Sequence, residues 1–338
     1  MAVTSSTSIP SRRILITGAS SGIGFQAALR LCRNGHQLSL PCRDAATATA
    51  TLTRIEQQRD RGDTQFASIQ APVLDLADLN SVKSFADRLL AKGEPIDTLV
   101  LNAGLQYTGA AQSRRSAQNY ELTIAVNHLG HQALTQQLLP LLEIGDKPRI
   151  VITASEVHDP NSPGGRFGEA AGLGALDGLK AGAGFEMVDG CSAFNADKAY
   201  KDSKLCNLLF ARELAKQLAR KGTPLPVEAW APGLVIPRGD DGFFRYSRTF
   251  NPWGQRLFAL AVRDLLRITE SPEDAGELLA GLASDPEAAA NGFSYRSNRL
   301  LRPGQHRFDL ADVSPEANND GLATKLWELS ADLIKRAS

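Results

Sequence analysis

The sequence lacks the features that mark several classes of protein. Four cysteines lie at unrelated spacings with no C-x-x-C pair, so we expect reduced thiols at Cys32, Cys42, Cys191 and Cys206. The 37 basic and 37 acidic residues cancel, so charge favours no nucleic-acid partner. No stretch reaches the ~18 apolar residues that a membrane-spanning helix needs. We therefore expect a cytoplasmic protein that is at most peripheral on a membrane.

The N-terminal residues 1–11 also lack an apolar run. They are rich in serine and threonine, which is typical of a disordered tail and not of a signal peptide. The chain as a whole is 43% hydrophobic and 22% charged, an ordinary globular balance. Open α/β sheets with insertions often reach this size, so residues 12–338 are expected to form one domain.

A glycine-rich turn follows the first β-rich run, Arg13–Thr17, and precedes a helical pattern that stops at Asn34-Gly35. A strand, a tight turn and a helix N-terminus place backbone N–H groups around a pyrophosphate. The alternative is a plain strand–helix connection, but the flanking elements favour nucleotide binding. The residues expected to contact the cofactor here are Gly18, Ser20, Ser21, Gly22, Ile23 and Gly24.

The second predicted strand, residues 37–41, ends in Cys42-Arg43. An NAD-selective site usually places a carboxylate here, on the ribose 2′-hydroxyl. Cys42 takes that place, and Arg43 offers a guanidinium to a 2′-phosphate. Arg43 could instead be an ordinary solvated residue, but the missing acid favours NADPH.

Further strands alternate with helices along the chain. A strand at 66–74 ends at Asp75-Leu76, where the carboxylate is expected to meet the adenine ring edge of the cofactor, and a helix is predicted at 79–90. A strand at 97–101 ends in Asn102-Ala103-Gly104, a turn expected to pass under the adenosine, and a strand at 149–154 delivers Ser155 at its carboxyl end. This alternation predicts an α/β fold, a doubly wound parallel sheet of the Rossmann type, with ligands beyond the strand carboxyl ends.

A long helical periodicity over residues 120–142 carries Asn127, His128 and His131. The two histidines are three residues apart, a spacing that can ligate a metal. No third ligand is suggested, so packing or hydrogen bonding is the preferred interpretation and no metal is expected.

Tyr200 and Lys204 lie one turn apart on a predicted helix over residues 194–218, so they project from the same face. A nearby ammonium stabilises a phenolate and lowers its pKa, so we expect the pair to transfer a proton near neutral pH.

Two long insertions flank this helix, at about 156–195 and 236–268. The first is rich in glycine and alanine, which argues against a core segment, and the second carries several large aromatic residues. We expect both to form a mobile lid, and the aromatic residues to line an apolar pocket or touch a membrane. An ordinary packing helix is the alternative. The residues expected to contact the substrate are Phe243, Phe244, Tyr246 and Trp253.

The order and spacing of these motifs resemble the short-chain dehydrogenase/reductases over roughly residues 12–300. The resemblance implies that Ser155 bonds the reacting group and Tyr200 is the acid. It also implies that Lys204 holds the ribose and that Asn127 anchors a water relay. Further cofactor contacts are expected from Pro232, Gly233, Leu234 and Val235, which precede the second insertion.

Within that superfamily the chain resembles the light-dependent protochlorophyllide oxidoreductases. The matching blocks include residues 198–207, KAYKDSKLCN, as well as 173–182 and 187–190. The resemblance implies NADPH as cofactor and the tetrapyrrole protochlorophyllide as substrate. The family usually has Tyr-Pro-Gly-Cys, whose tyrosine and cysteine face the pigment, where this chain has Ala231-Pro-Gly-Leu234.

Two other functions stay open at this point. A dark NADPH-dependent reductase of bulky, retinal-like carbonyls would use the same Ser155, Tyr200 and Lys204. A nucleotide-binding scaffold or pigment carrier without turnover is the third reading, against which the intact catalytic set argues. Lipid contact and a homo-oligomer also stay open.

Overall fold

The computed structural model describes residues 10–58, 68–190, 193–236, 243, 245–250, 252–266, 268–285 and 290–337. In these residues one sheet contains eight strands: Arg13–Ile16 (β1), Gln37–Ser39 (β2), Ile69–Gln70 (β3), Thr98–Leu101 (β4), Arg149–Thr153 (β5), Pro226–Ala231 (β6), Gly292–Arg302 (β7) and Gln305–Leu310 (β8).

Helices connect and cover the strands. The α-helices are Gly22–Arg33 (α1), Ala45–Gln57 (α2), Leu79–Lys92 (α3), Leu122–Ile124 (α4), Gly130–Glu143 (α5), Asp177–Ala181 (α6), Ala196–Arg220 (α7), Arg245–Phe250 (α8), Pro252–Ala259 (α9), Pro272–Ser284 (α10) and Asp320–Ala337 (α11). Two π-helical segments occupy Ala125–Leu129 and Leu260–Leu265, and a 3₁₀ turn occupies Glu156–His158.

The strand order is β3-β2-β1-β4-β5-β6-β7-β8, and every pair is parallel except β7 with β8. The chain runs outward from β1 to β3 and then returns to the other side of β1. This reversal opens a crevice beyond the carboxyl ends of β1 and β4, where doubly wound folds bind ligands. The predicted fold class is confirmed.

Alternating side chains of the central strands fill two cores, one on each face of the sheet. In β1, Leu15 packs into one cluster while Ile14 and Ile16 pack into the other. In β5, Ile150 and Val151 divide in the same way. Strands covered by helices on both faces need this continuous apolar composition.

Several predicted boundaries were wrong. Of the strand expected at 66–74, residues 66 and 67 lie outside the described residues, and residues 68–74 pair at Ile69–Gln70 and through an isolated bridge between Cys42 and Val73. Pro72 lies between them and has no N–H to donate to the sheet. The helix expected at 120–142 is divided by the π-helical segment.

The structure describes the end of the expected N-terminal tail and three of the four cysteines. Residues 1–9 lie outside the described residues, but the Ser11 hydroxyl, which belongs to the expected disordered tail, donates a hydrogen bond to Gly35 O at 2.7 Å. Cys32, Cys42 and Cys206 are buried thiols, and Cys191 lies outside the described residues.

No helix of the described residues is both long and apolar enough to cross a membrane.

His128 and His131 are buried and make separate hydrogen bonds within the fold. His128 Nε2 lies 2.9 Å from Ser330 Oγ on α11, and His131 Nε2 lies 2.9 Å from Thr17 Oγ1 after β1. Burial, followed by the charge of His131, lowers the pKa of His128 to about 3. Burial also lowers the pKa of His131 to about 4, although its hydrogen bond with Asn127 O opposes that shift. Both histidines are therefore neutral in the folded protein at pH 5.

These buried histidines predict a loss of stability in mild acid. An unfolded histidine with its usual pKa of 6.5 takes up a proton as the pH falls, whereas the folded one does not. Between pH 7 and pH 5 each should cost about 2 kcal/mol of unfolding free energy. In urea unfolding, His131→Gln should therefore lose about 2 kcal/mol less over this interval than the parent protein. Parallel pH curves for the two proteins would contradict this assignment.

Candidate active site

A cavity of about 1360 Å³ lies beyond the carboxyl ends of β1, β4, β5 and β6. It exceeds the roughly 300–1,000 Å³ of most small-molecule pockets, so it has room for a dinucleotide and a second bulky ligand. Every residue that the sequence predicts to contact the cofactor lines it: Gly18, Ser20, Ser21, Gly22, Ile23, Gly24, Arg43, Asp75, Leu76, Asn102, Ala103, Gly104, Tyr200, Lys204, Pro232, Gly233, Leu234 and Val235.

The turn between β1 and α1 has the geometry that a pyrophosphate requires. Gly18 has a φ of 71°, and a Cβ there would lie 2.6 Å from Ala103 Cα. Gly22 has a φ of 56°, and a Cβ there would meet no atom within 4 Å. Ser21 caps α1 without a side-chain hydrogen bond, and the first turn carries no acidic residue. The N–H groups of this turn thus suit an anionic ligand.

Arg43 lies at the end of β2, at the rim of the cavity. Its guanidinium bonds Asp44 Oδ2 at 3.3 Å and Tyr246 Oη at 3.4 Å, and its side chain is 52% exposed. Arg54 was not predicted from the sequence, yet its Nη1 donates to Ser20 O at 2.9 Å and so supports the glycine turn from α2. The positions of Arg43 and Arg54 suit a dinucleotide whose adenosine ribose lies near the end of β2.

Thr153, the last residue of β5, joins the elements that surround the cavity. Its hydroxyl lies 3.3 Å from Asn102 Oδ1 after β4 and accepts a 3.0 Å hydrogen bond from Trp230 Nε1 of β6. Its carbonyl oxygen accepts from Lys204 Nζ at 3.0 Å and from Asn207 Nδ2 at 3.3 Å, both on α7. Thr153 therefore links α7, the catalytic helix that carries Tyr200 and Lys204, to the ends of β4, β5 and β6.

Ser155, Tyr200 and Lys204 come together at the cavity wall. Burial raises the pKa of Tyr200 above its usual value, a hydrogen bond with Ser155 opposes that shift, and the charge of Asp197 adds to it. Lys204 Nζ lies 5.6 Å from the centre of the Tyr200 ring, and burial lowers the Lys204 pKa to about 8. The Tyr200 pKa is therefore raised and not lowered as expected, because burial dominates the shift. The Lys204 ammonium donates its hydrogen bond to Thr153 O.

Asn127 lies within the π-helical segment and does not line the cavity. Its side chain is fully buried, accepts from Leu105 N at 2.9 Å and donates to Leu105 O and Ser203 Oγ, each at 3.0 Å. A Cβ on Gly104 would lie 3.5 Å from Asn127 Oδ1 and 3.6 Å from Lys204 Nζ. The structure thus places Asn127 behind the loop that carries Gly104.

The loop after β5 contributes cavity residues that sequence reasoning missed. Buried His158 accepts a hydrogen bond from Ser314 N at Nε2, so Nδ1 donates to Ser155 O at 2.7 Å. Glu156 lines the cavity and accepts from Ser297 Oγ of β7 at 2.5 Å. These contacts hold Ser155 in place. No local pattern predicts them, because Ser297 and Ser314 are far along the chain.

The first insertion is largely packed into the core, which argues against the predicted mobile lid. Contrary to the expectation from its composition, six of its apolar side chains are buried, and most of these join the main core: Leu173, Leu176, Leu179, Phe185, Met187 and Val188.

Charged residues beside Tyr200 on α7 fasten this insertion. Lys198 Nζ donates to Gly172 O at 2.8 Å and pairs with Asp202 at 2.6 Å, while Asp202 Oδ1 accepts from Gly172 N at 2.9 Å. Lys201 Nζ bonds Phe167 O and also Glu169 O at 3.0 Å. Residues 167–190 are therefore part of the fixed wall of the site.

The second insertion covers the open side of the cavity. The Phe243 ring lies 5.1 Å from the Tyr200 ring, and Tyr246 also lines the cavity, so both fit the predicted substrate surface. Trp253 does not line the cavity and is 72% exposed, because α9 turns this residue towards solvent. The structure thus does not bring Trp253 together with the other predicted substrate residues. Phe244 lies outside the described residues.

Comparison with known proteins gives the family. The model of the short chain dehydrogenase family matches residues 12–187. The chain belongs to the short-chain dehydrogenase family. A structure of an uncharacterized protein from Mycobacterium paratuberculosis superposes with a TM-score of 0.67 and 26% identity, covering 97% of this chain and 96% of that one.

Relatives named protochlorophyllide reductase align with most of the chain. Protochlorophyllide reductase A, chloroplastic, of Oryza sativa subsp. japonica is 33% identical over 331 residues, which cover 95% of this chain and 80% of the rice protein. Protochlorophyllide reductase, chloroplastic, of Chlamydomonas reinhardtii is 34% identical over 327 residues, which cover 95% of this chain and 77% of the algal one. The resemblance found in the sequence is thus confirmed along nearly the whole chain.

Limited proteolysis should distinguish the two insertions. Residues 245–266 expose several apolar side chains, whereas residues 171–190 are packed and ion-paired, so cleavage should occur first in the second insertion. Lys201→Met removes the contacts with Phe167 and Glu169 and should speed cleavage near 160–170 only. Equal cleavage rates in both insertions of the parent protein would show that the first is not fixed.

Proposed function

We propose that the protein is an NADPH-dependent reductase that converts protochlorophyllide to chlorophyllide by light-driven reduction of one ring double bond. The observation that carries this proposal is the arrangement of Ser155, Tyr200 and Lys204 on a cavity of about 1360 Å³, larger than a dinucleotide alone requires. The relatives named protochlorophyllide reductase, alike over 95% of the chain, support the choice of substrate.

The cofactor is NADPH, and the residues present fit it. The β1–α1 turn suits the pyrophosphate, Arg43 suits the 2′-phosphate, and Lys204 suits the nicotinamide ribose. NADPH when bound supplies the hydride. The protein contributes position, electrostatics and the exclusion of water.

Tyr200 is the proton donor in this proposal. Its raised pKa keeps the hydroxyl protonated at neutral pH, so it can deliver a proton to the carbon beside the one that accepts hydride. Ser155 orients that hydroxyl through their hydrogen bond. Although burial lowers the Lys204 pKa to about 8, the side chain is still mostly an ammonium at pH 7 and can balance the charge of the phenolate that remains.

The chemistry of the substrate is the reason that the proposed reaction needs light. A carbon–carbon double bond within a conjugated macrocycle is poorly polarised, so hydrogen-bond donors have little developing charge to stabilise. Absorption of a photon by the pigment itself supplies the energy that makes the bond accept hydride. The side chains need only hold the pigment and the cofactor in reacting geometry.

A dark reductase of bulky carbonyls is the second candidate, and one observation favours it. Leu234 lines the cavity where the light-dependent family usually carries a cysteine, and Ala231 stands for the family's tyrosine. Ser155 and Tyr200 would then bond the carbonyl oxygen and protonate it as hydride arrives.

A flash experiment separates the two candidates. With NADPH and protochlorophyllide the protein should hold a stable complex in darkness and form chlorophyllide after a flash, as followed by absorption. Tyr200→Phe keeps the ring but loses the proton, so it should bind both ligands and slow the proton-transfer step by about 10²-fold or more. Reduction of a bulky aldehyde in darkness, with the pigment unchanged under light, would establish the dark reductase instead.

We also propose that the second insertion touches lipid. Its outer face exposes Trp253 by 72%, Leu257 by 66% and Leu265 by 78%, and residues 245–266 contain four arginines and one aspartate. Aromatic and aliphatic residues beside basic ones are typical of helices that lie in the interface of anionic membranes.

Vesicle flotation tests this surface. Trp253→Asp together with Leu257→Asp should abolish binding to vesicles that contain anionic lipid, because it places charge where apolar contact is needed. The matched control is Ile144→Asp, which changes a residue exposed by 60% outside the insertion and should bind as the parent does. Binding that survives the double substitution would exclude this face.

A further inference from the structure

Arginine side chains from three parts of the chain surround Tyr246. Arg43 Nη1 lies 3.4 Å and Arg245 Nη2 lies 3.2 Å from the Tyr246 hydroxyl oxygen. The guanidinium carbon of Arg114 lies 4.8 Å from the centre of the Tyr246 ring, and that of Arg245 lies 4.6 Å from it. Among the described residues, Asp44 is the acid in direct contact with this cluster, at 3.3 Å from Arg43.

Two like charges therefore converge on one uncharged phenol oxygen. Arg43, Arg245 and Tyr246 all line the cofactor cavity, and Arg43 and Arg245 are mostly exposed, so both can reorient. Guanidinium groups repel each other, and a phosphate that accepts hydrogen bonds from both removes that repulsion. Within the described part of the chain, one carboxylate therefore faces three guanidinium groups and does not balance their charge.

The charges around Tyr246 also favour the binding of an anion. Burial alone would raise its pKa, but the hydrogen bond and charge of Arg245, with the charges of Arg43 and Arg114, lower the pKa below the usual value. The surroundings of this hydroxyl thus stabilise negative charge, which is the property an anion site needs.

We propose that Arg245 and Tyr246 of the second insertion complete, with Arg43, the binding site for the 2′-phosphate of NADPH. The proposal rests on NADPH as the cofactor but not on the identity of the reduced substrate. The sequence identifies Arg43 alone, since the second insertion follows it by some two hundred residues. The 2′-phosphate then ties α8 to the Rossmann core, so NADPH closes the insertion over the cavity before the second substrate reacts.

Binding measurements test the site without pigment or light. Calorimetric titration of Arg245→Gln should show NADPH and 2′,5′-ADP bound about tenfold more weakly, while NADH and ADP change less than about twofold. Tyr246→Phe, which removes only the hydroxyl, should weaken the same two ligands to a smaller extent. Arg248→Gln is the matched control, because Arg248 lies on the same helix but does not line the cavity.

The outcomes separate this proposal from the function proposed above. An unchanged preference for NADPH over NADH in Arg245→Gln, or an equal loss for both cofactors, would overturn the phosphate site even if the protein reduces its pigment. Proteolysis gives a second readout, in which NADPH but not NADH should protect residues 245–266 of the parent. In Arg245→Gln the two cofactors should protect equally, and a persistent difference would overturn the link between phosphate and insertion.

Discussion

The hydrogen bonds of Thr153 are the constraint on which the rest of the site depends. The hydroxyl of this residue joins β5 to the residue after β4 and to β6, and its carbonyl oxygen accepts from two side chains of α7. The catalytic helix is thereby held at the point where parallel strands end. Lys204 serves two purposes, since the ammonium that fastens α7 also lies beside Tyr200. Catalytic geometry and packing are set by the same contact.

This constraint divides the surroundings of the cavity into two parts, residues 167–190, which are fixed to α7, and the second insertion, which covers the open side. On the fixed side, the charged residues next to Tyr200 bind residues 167–190 to α7, so the motif KAYKDSK carries both catalytic and anchoring residues. On the other side, the second insertion meets the core through Phe243 at Tyr200 and through the arginine cluster at Tyr246. Ligands that bridge these two sides would complete the enclosure.

The sequence predicted the central sheet well, and the residues it assigned to the cofactor all line one cavity, because glycine turns and apolar strands are local signals. It predicted no strand after residue 154, since β6 to β8 are mixed in polarity and β7 and β8 lie at an edge. It misjudged the first insertion because its glycines hide six buried apolar residues. It also missed the reversal of the Tyr200 pKa shift, since spacing along a helix carries no information about burial. Contacts such as Glu156 with Ser297 depend on residues distant in sequence and need the structure.

The central claim is that hydride passes from NADPH to a bulky pigment held against Tyr200. Its most direct test is mass spectrometry of the product formed after illumination with NADPH deuterated stereospecifically at the nicotinamide C4 position. The account predicts one deuterium in the chlorophyllide from one of the two C4 epimers, none from the other, and no product in darkness. A product without deuterium from either epimer, or a pigment left unreduced under light, would contradict it.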